Sequence, residues 1–395
     1  MTTTTHVDDQ PRVWLVLSDK WGDNRQVEII ARGLGWASER KYVHMRPGYV
    51  KGKPRTGASL HHVDLARSDP LEPPWPDLII TIGRRAAMAA LWVREQAAGR
   101  TKIVLIGKPH GRLEPYDLIV VSQADNAVPP LPNVLPIAMP LMRIEPDVLA
   151  AAAESWRPRL ADLPRPLIGI LVGGPNIYFR YTGALVDHLL EAVDDIVART
   201  GGTPYVTTSR RTPVPVVEAL EARLPPEARL STWTDETEAD LYQGLLALAD
   251  GLIVTADSIS MMIEAIRAKK PMAICPVPLA VFGGLSNWRR TFVRWLFAFD
   301  GDGLGARLRQ SLSRRLYRLH LVGQTRDFRA FQQLLFEEGL AVQLGSELVP
   351  PRRALLDEVP EVQARIRALI ERGVPKDAAV AAPSDAPAPQ GGPHP

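Results

Sequence analysis

The sequence predicts an α/β protein made of two successive domains of similar size, each built on a parallel sheet. Short, uninterrupted apolar runs such as Val13–Leu17 and Leu167–Val172 alternate with helical patterns, which is typical of parallel strands that helices cover on both faces. The pattern starts again after a helix and a proline-containing linker at residues 142–165. The length of 395 residues also fits two domains of roughly 100–200 residues each.

The first domain is predicted to span residues 13–150, after a polar, threonine-rich stretch at residues 1–12 that we expect to be disordered. Aliphatic runs mark its strands, and Gly83 punctuates the boundary between a strand and a helix. The predicted elements are strand Val13–Leu17, helix Arg25–Leu34, strands Lys41–Met45 and Asp77–Ile82, helix Arg84–Gln96, and strands Lys102–Ile106, Leu118–Val121 and Val134–Ala138.

The second domain is predicted to span residues 151–373, and the Pro- and Ala-rich residues 374–395 form a tail that cannot bury enough surface to fold. Pro215 stands just before one of its helices, where a proline is favoured. The predicted elements are strand Leu167–Val172, helix Gly183–Arg199, strand Pro204–Thr208, helix Val216–Leu224, strand Leu230–Thr232, helix Ala239–Ala249, strand Leu252–Thr255, helix Ser258–Ala268 and strand Met272–Cys275. Ligands of open α/β sheets bind outside the carboxyl ends of strands, so the facing loops of the two domains should form a cleft.

Composition excludes several classes of protein. The net charge is +3, which does not suggest a general nucleic-acid binder, and one cysteine, Cys275, excludes an intramolecular disulfide framework and a cysteine zinc site. The N-terminus has no apolar signal core, and no apolar run approaches the ~18–20 residues of a membrane span. We therefore expect a cytoplasmic protein.

The strongest local signal for chemistry is the strand-to-helix boundary at residues 255–265. Asp257, Ser258 and Ser260 lie in the first turn of the predicted helix, where unpaired N–H groups and a partial positive charge favour a phosphate. Glu264 lies nearly two turns further along, where a carboxylate can accept hydrogen bonds from a ribose diol. The alternative is that Asp257 or Ser258 simply caps the helix and that Glu264 is solvated.

Two further loops of the second domain follow predicted strands. Gly173 and Gly174 let the backbone approach a ligand closely, with Asn176 beside them, and the alternative is a Gly-Pro turn. In the other loop Ser209 precedes Arg210 and Arg211, which can clamp an anionic diphosphate, and the alternative is a solvated basic turn.

The first domain offers two loops of the same kind. Asp19 or Asp23, after the first strand, is a candidate general base for a hydroxyl acceptor, unless Asp23 or Asn24 caps the helix that follows. The candidate contacts for the acceptor or for phosphate are Asn24, Gln26, Arg84 and Arg85, of which the two arginines could instead be solvated. No Gly-x-Gly-x-x-Gly helix start, P-loop, nucleophile elbow or strand-end acidic pair occurs, so no metal or resident cofactor is predicted.

One segment departs from the neutral overall balance: residues 281–330 hold ten arginines, no lysine and three aspartates. Aromatic and aliphatic residues recur there at three- and four-residue spacings, which predicts two basic amphipathic helices for an anionic membrane surface. The alternative is that their apolar faces pack on the protein itself. The residues predicted to contact the membrane are Trp288, Arg289, Arg290, Phe292, Arg294 and Trp295.

Taken together, these loops resemble a known family. Gly22–Gln26, Thr81–Arg85, Gly173–Asn176, Thr208–Pro213 and Val254–Met262 occur in the order and context found in the bacterial relatives of the plant mitochondrial-fission factor "elongated mitochondria". Members of that family are regarded as glycosyltransferases of the GT-B-like fold. The segment at residues 282–330 does not align with the family pattern.

The resemblance implies two Rossmann-like domains facing a cleft, with a nucleotide-sugar donor held mainly by the second. A more distant similarity to lipid-directed GT-B transferases implies that Ser258 and Ser260 contact phosphate and that Glu264 contacts ribose. Sugar transfer to a hydroxyl acceptor follows, with a membrane lipid or lipopolysaccharide-core precursor as one acceptor. The alternatives are a nucleotide-sugar epimerase and a non-catalytic adaptor of the mitochondrial-fission type.

Overall fold

The computed structural model describes residues 10–18, 21–50, 57–109, 112–122, 128–176, 178–234, 238–280, 292–293, 295–298, 303–319, 321–322 and 328–371, with the backbone alone at residues 21–23, 50 and 238–240. Within these ranges no helix is both long and apolar enough to cross a bilayer.

The first sheet has six parallel strands in the order β2-β1-β3-β4-β5-β6. Among the described residues, helices lie in the first three connections between successive strands, because parallel neighbours need a crossover connection. Its elements are β1 (Val13–Leu17), α1 (Trp21–Leu34), β2 (Ser38–Tyr42), α2 (Pro47–Val50), β3 (Leu78–Ile82), α3 (Arg84–Gln96), β4 (Lys102–Ile106), β5 (Leu118–Ser122) and β6 (Val134–Ile137).

The second sheet, also of six parallel strands, has the order β12-β11-β10-β7-β8-β9. Helix α4 (Pro146–Leu160) links the two sheets. The elements that follow are β7 (Leu167–Leu171), α5 (Gly183–Thr200), β8 (Thr203–Thr207), α6 (Val214–Arg223), β9 (Arg229–Ser231), α7 (Glu238–Leu248), β10 (Gly251–Thr255), α8 (Ile259–Arg267), β11 (Met272–Cys275), α9 (Leu304–Arg318), α10 (Phe328–Glu337), β12 (Val342–Gln343) and α11 (Val359–Glu371).

Three apolar cores hold these layers together. One fills the second domain around β7 and β10, and the other two lie on opposite faces of the first sheet. The strands β1, β3, β5, β7 and β10 are buried along their whole length, which agrees with their predominantly apolar sequences. The architecture confirms the predicted fold class: an α/β chain with two Rossmann-like domains, each built on a six-stranded parallel sheet.

The second strand differs from its prediction. The sequence favoured Lys41–Met45, whereas β2 runs from Ser38 to Tyr42 and its first three residues are exposed. β2 lies at the edge of the sheet, next to β1. An edge strand is not covered on every side, so polar residues form it as readily as apolar ones.

The end of the chain returns to the first domain. Helix α11 packs on α1, where Gln363 Nε2 donates to the carbonyl of Ile30 at 3.1 Å and Arg367 Nη2 donates to that of Gly33 at 2.6 Å. A Cβ on Gly33 would overlap Gln363, so glycine permits this close approach. Residues 359–371, predicted as part of the second domain, pack against the first sheet.

The arginine-rich segment also contacts the first domain. Val293, Leu296 and Tyr317 are buried in the core that covers one face of the first sheet. The second of the two predicted amphipathic helices is observed as α9. Trp288, Arg289, Arg290 and Arg294, four of the six residues predicted to contact a membrane, lie outside the described residues.

Candidate functional site

The candidate loops lie at the topological switch point of each sheet. In the second sheet the chain proceeds from β7 to β8 on one side and resumes with β10 on the other, so the carboxyl ends of β7 and β10 flank the switch. In the first sheet β1 and β3 flank the corresponding point. Open α/β sheets bind their ligands in this crevice. The loops at Gly173, Asp257, Ser18 and Gly83 begin there.

In the second domain one buried carboxylate joins three loops. Asp257, whose side chain is wholly buried, accepts hydrogen bonds from the Gly174 N–H at 3.0 Å, the Tyr181 hydroxyl at 2.6 Å and the Ser258 hydroxyl at 2.9 Å. The Arg211 guanidinium adds an ion pair at 3.5 Å. These contacts occupy the carboxylate, and its negative charge would repel a phosphate. Asp257 therefore positions the loops, although the sequence analysis predicted it as a donor contact.

The two glycines allow this close approach. A Cβ on Gly173 would overlap the Ser258 hydroxyl, and a Cβ on Gly174 would lie 2.5 Å from the carbonyl oxygen of Arg211. Further along the loop Asn176 Oδ1 accepts from the N–H groups of Tyr178 and Phe179, at 2.8 and 3.2 Å. The glycines bring the three loops together, and Asn176 closes the turn.

The arginine turn is held by a threonine that the sequence analysis left out of its candidates. Thr212 Oγ1 donates to the carbonyl of Gly173 at 2.6 Å and accepts from the Ser209 N–H at 2.8 Å. Arg210 and Arg211 are exposed at the tip of the same turn. The turn is thus fixed to the glycine loop, and the guanidinium of Arg211 reaches Asp257 beside the switch point.

The start of helix α8 is not capped by a side chain. Ser258 occupies the N-cap position, but its hydroxyl donates to Asp257, and the described structure has no side-chain cap there. The simple capping roles considered for Asp257 and Ser258 are thus not those that the structure displays. Uncapped N–H groups in the first turn are available to an external acceptor such as a phosphate. Ser260, exposed in this turn, adds a hydroxyl.

Glu264 lies one turn beyond Ser260 on the same face of α8. Its carboxylate is buried, and Oε2 accepts a hydrogen bond from the hydroxyl of Tyr242 on α7. Its other oxygen, Oε1, lies 3.9 Å from Nη1 of Arg25 on α1, so this contact joins the two domains across the cleft. Burial raises the pKa of Glu264, and the contacts with Tyr242 and Arg25 oppose that rise. Glu264 is therefore a carboxylate with one oxygen fixed and the other directed toward the cleft.

Tyr242→Phe tests this orientation. The substitution keeps the ring but leaves Glu264 Oε2 without its donor, so we expect a nucleotide ligand to bind about three- to tenfold more weakly. Since the lost hydrogen bond lowers the pKa of Glu264, that pKa should rise further, and binding should weaken at a higher pH than in the wild type. Calorimetry over a pH series measures both effects. Tyr116→Phe, which removes a buried hydroxyl in the first domain, is the control, and equal losses in the two variants would refute the role of Tyr242.

In the first domain the loop after β1 is closed by Asn24. This buried side chain donates from Nδ2 to the carbonyl of Ser18 at 2.8 Å and accepts from the Ser18 N–H at 3.3 Å. Gln26 follows on α1, half-buried. Asp19 and the side chain of Asp23, the two candidate general bases, lie outside the described residues, so their catalytic role stays a prediction.

A second cationic group lies at the switch point of the first sheet. Helix α3 begins with Arg84 and Arg85, directly after Gly83, which has a φ of 79° and no side chain to cap the helix. Arg84 is half-buried, and burial followed by the neighbouring charge of Arg85 lowers its pKa. An uncapped helix start beside two guanidinium groups can bind an anion, as the sequence analysis predicted for this pair.

Sequence reasoning missed several residues that the structure brings to the site. Tyr181 and Thr212 were visible as polar residues in the right loops, but nothing local marked them as partners of Asp257 and Gly173. Tyr242 lies on an apolar helix and carries no local signal. Arg25 belongs to one of the motifs behind the family resemblance, yet its contact with Glu264 spans 239 positions and depends on how the domains face each other.

Comparison with known proteins places the sequence in a family. The family model described as "Mitochondrial fission ELM1" matches residues 22–289. The mitochondrial fission protein ELM1 of Arabidopsis thaliana is 26% identical over 276 residues, with coverage of 63% of this chain and 64% of the plant protein. The matching region thus spans less than two thirds of that relative.

Solved structures with the same kind of fold are known. The chain is similar to UDP-GlcNAc 2-epimerase of Methanocaldococcus jannaschii in complex with UDP-GlcNAc and UDP, with 9% identity, a TM-score of 0.45, and coverage of 90% of this chain and 99% of that one. It is also similar to ADP-heptose lps heptosyltransferase II of E. coli, with 14% identity, a TM-score of 0.39, and coverage of 67% and 84%. These likenesses concern the fold alone. The sequence match, which covers more than half of the chain, shows that the protein belongs to the mitochondrial fission ELM1 family.

Proposed function

We propose that the protein is a GT-B-type glycosyltransferase that moves a sugar from a nucleotide-sugar donor to a hydroxyl acceptor. The observation that carries the proposal is Glu264. Its buried carboxylate lies near the switch point of the second sheet, with Oε2 held by Tyr242 and Oε1 directed at the cleft. A carboxylate fixed in this way is suited to accept hydrogen bonds from the two hydroxyls of a ribose.

The other predicted donor contacts follow from this placement. With the ribose at Glu264, the diphosphate lies toward the uncapped start of α8, where the first-turn N–H groups and the Ser260 hydroxyl can donate to it. Arg210 and Arg211 stand on the neighbouring turn and supply positive charge. Ser258 and Gly174 hold these loops in place, because both donate hydrogen bonds to Asp257.

Sugar transfer then requires stabilisation of the departing diphosphate and activation of the acceptor. The helix N–H groups and the arginines stabilise the negative charge, so the proposal needs no metal ion. Asp23 or Asp19 is the proposed general base for the acceptor hydroxyl, and Asn24, Gln26, Arg84 and Arg85 belong to the acceptor side. Closure of the two domains excludes water from the reacting atoms.

The proposed acceptor is a membrane lipid or a lipopolysaccharide-core precursor, and the proposed location is the cytoplasm, at the inner face of the cytoplasmic membrane. Support comes from the basic segment at residues 281–330, whose described part packs on the first, acceptor-side domain. An acceptor embedded in a membrane would then be presented to the domain that carries the proposed base.

A non-catalytic adaptor is the second candidate function, and family membership favours it, because the Arabidopsis relative bears the name of a mitochondrial fission protein. For an adaptor, Asp23→Ala and Glu264→Ala would leave the cellular function intact, even if Glu264→Ala abolished nucleotide binding. For a transferase, each substitution would abolish the cellular function.

A thermal-shift screen of nucleotide sugars tests the proposal. A ligand that binds only the folded protein stabilises it by about 2.7 kcal/mol at a hundredfold excess over its Kd, which raises the Tm by several degrees. We expect one base and sugar combination to raise the Tm most, which would identify the donor. If no nucleotide sugar or nucleoside diphosphate raises the Tm, the proposal is wrong. Isomerisation of the sugar without an acceptor would assign an epimerase instead.

A further inference from the structure

Helix α9 presents a row of leucines to solvent. Leu304, Leu308 and Leu312 follow one another at four-residue intervals on one face, and their side chains are 80%, 71% and 45% exposed. Leu316, the next residue at this interval, packs on the core of the first domain, and Leu319, just beyond the helix, is 57% exposed. Single exposed apolar residues are common on proteins, but a continuous row of large ones marks an interaction surface. We call the four exposed residues Leu304, Leu308, Leu312 and Leu319 the leucine face.

Helix α9 already packs on the first domain through its opposite face. The leucine face is therefore the outer face of this helix. Ser313 and Tyr317 are buried, and the Tyr317 hydroxyl donates to the carbonyl of Pro109 at 2.5 Å. Val293 and Leu296, from the segment before α9, fill the same core. The two outcomes that the sequence left open therefore both apply: one side of the segment packs on the protein, and the other side stays exposed.

The leucine face is bordered by positive charge. Helix α9 contains no acidic residue. Its five arginines are Arg307, Arg309, Arg314, Arg315 and Arg318. The guanidinium carbon of Arg309 lies 5.9 Å from the ring centroid of Trp295, which is 55% exposed and stacks near Phe292. Exposed leucines, an aromatic pair and arginines are thus combined on one surface.

We propose that the leucine face and its arginines dock on an anionic lipid bilayer. The leucines enter the acyl boundary, Trp295 lies at headgroup level, and the arginines contact the anionic headgroups. A nucleic acid offers no apolar partner for the leucines, and a second copy of this face would bring like charges together. The inference deepens the proposed membrane location, but it does not depend on sugar transfer.

Flotation of the full-length protein with vesicles tests the docking. The wild type should float with vesicles of phosphatidylglycerol and phosphatidylcholine in equal amounts and should not float with phosphatidylcholine alone. Leu304→Ser, Leu308→Ser and Leu312→Ser combined should reduce the partition coefficient by about tenfold or more for each leucine that inserts. Arg307→Gln, Arg314→Gln and Arg315→Gln combined should reduce it by about fivefold for each arginine near the surface.

The matched control is the double variant Leu65→Ser and Leu356→Ser, which removes exposed leucines (60% and 75%) outside this surface and should float like the wild type. Circular dichroism should show unchanged folding in all three variants, since the substituted side chains face solvent. The inference is overturned if the wild type does not float with the anionic vesicles, or if the triple leucine variant floats equally well. A dimer that the leucine substitutions dissociate, without flotation, would also overturn it and assign the face to a second copy.

The same samples separate this inference from the proposed function. The triple leucine variant should show the same thermal shift with nucleotide sugars as the wild type, because α9 contains none of the proposed donor contacts. Flotation without any nucleotide response would leave the docking intact and remove the donor site. A thermal shift with nucleotide sugars but no flotation would leave the donor site intact and remove the membrane docking.

Discussion

Glu264→Gln is expected to weaken the binding of a nucleoside diphosphate ligand at least about tenfold while raising the Tm at neutral pH. Burial raises the pKa of Glu264, so the folded protein holds this proton more tightly than the unfolded chain does. Its contribution to stability is therefore present at low pH and is lost as the pH rises through the raised pKa. Glutamine carries no charge at any pH, so the substitution removes the free-energy cost of burying an ionised carboxylate at neutral pH.

The same pKa predicts how binding depends on pH. Only the ionised carboxylate has both oxygens free of a proton to accept the ribose hydroxyls, so wild-type affinity should fall as the pH is lowered through the raised pKa of Glu264. In Glu264→Gln this part of the pH dependence should vanish. Calorimetry measures the affinities, and Glu145→Gln, at a half-exposed carboxylate paired with Arg32, should leave them unchanged. Equal affinity in Glu264→Gln and the wild type would remove Glu264 from the donor site.

Asp257→Ala is expected to lower the free energy of unfolding by about 3–5 kcal/mol, because several donors lose their acceptor and each buried, unsatisfied group costs about 1–3 kcal/mol. The substitution leaves the Gly174 N–H and the hydroxyls of Tyr181 and Ser258 without their shared acceptor. It also leaves Arg211 without its ion pair. Because these groups belong to three loops, nucleotide binding should be lost together with stability.

Chemical denaturation measures this loss. Asp195→Ala is the control, because Asp195 forms an exposed ion pair with Arg199 within one helix, and such pairs contribute no more than about 0.5 kcal/mol. A loss of similar size in the two variants would contradict the central role of Asp257. Asp257→Asn keeps one oxygen acceptor, so it should be less damaging than Asp257→Ala.

The sequence predicted the fold where local pattern decides the structure. The buried runs of β1 and β7 contain no polar side chain and those of β3 and β10 contain one threonine each, so both their existence and their parallel pairing follow from composition. The strand β2 begins and ends three residues earlier than predicted, because an edge strand does not need apolar residues. The sequence prediction also missed the return of α11 to the first sheet, since an amphipathic helix does not specify which distant surface its apolar face will cover.

The positions of the candidate loops could be predicted from the sequence, but the roles of the residues in them could not. The loops at Gly173, Arg210 and Asp257 were predicted because each follows a strand, and the carboxyl ends of parallel strands share one edge. The roles within the site depend on contacts between distant residues. Local spacing made Asp257 look like a phosphate contact, whereas the structure surrounds it with donors from the protein itself. The pairing of Glu264 with Tyr242 and Arg25 has no signal within any single segment.

The most direct test of the account is transfer of a radiolabelled sugar from the nucleotide sugar that the thermal-shift screen identifies. The protein, the labelled donor and a bacterial lipid extract are incubated, and the label in the organic phase is counted. We expect label in the lipid fraction with the wild type, with Leu65→Ser and with Glu145→Gln, and loss of that label with Glu264→Gln. Absence of transfer by the wild type from every donor that binds, or equal transfer by Glu264→Gln, would contradict it.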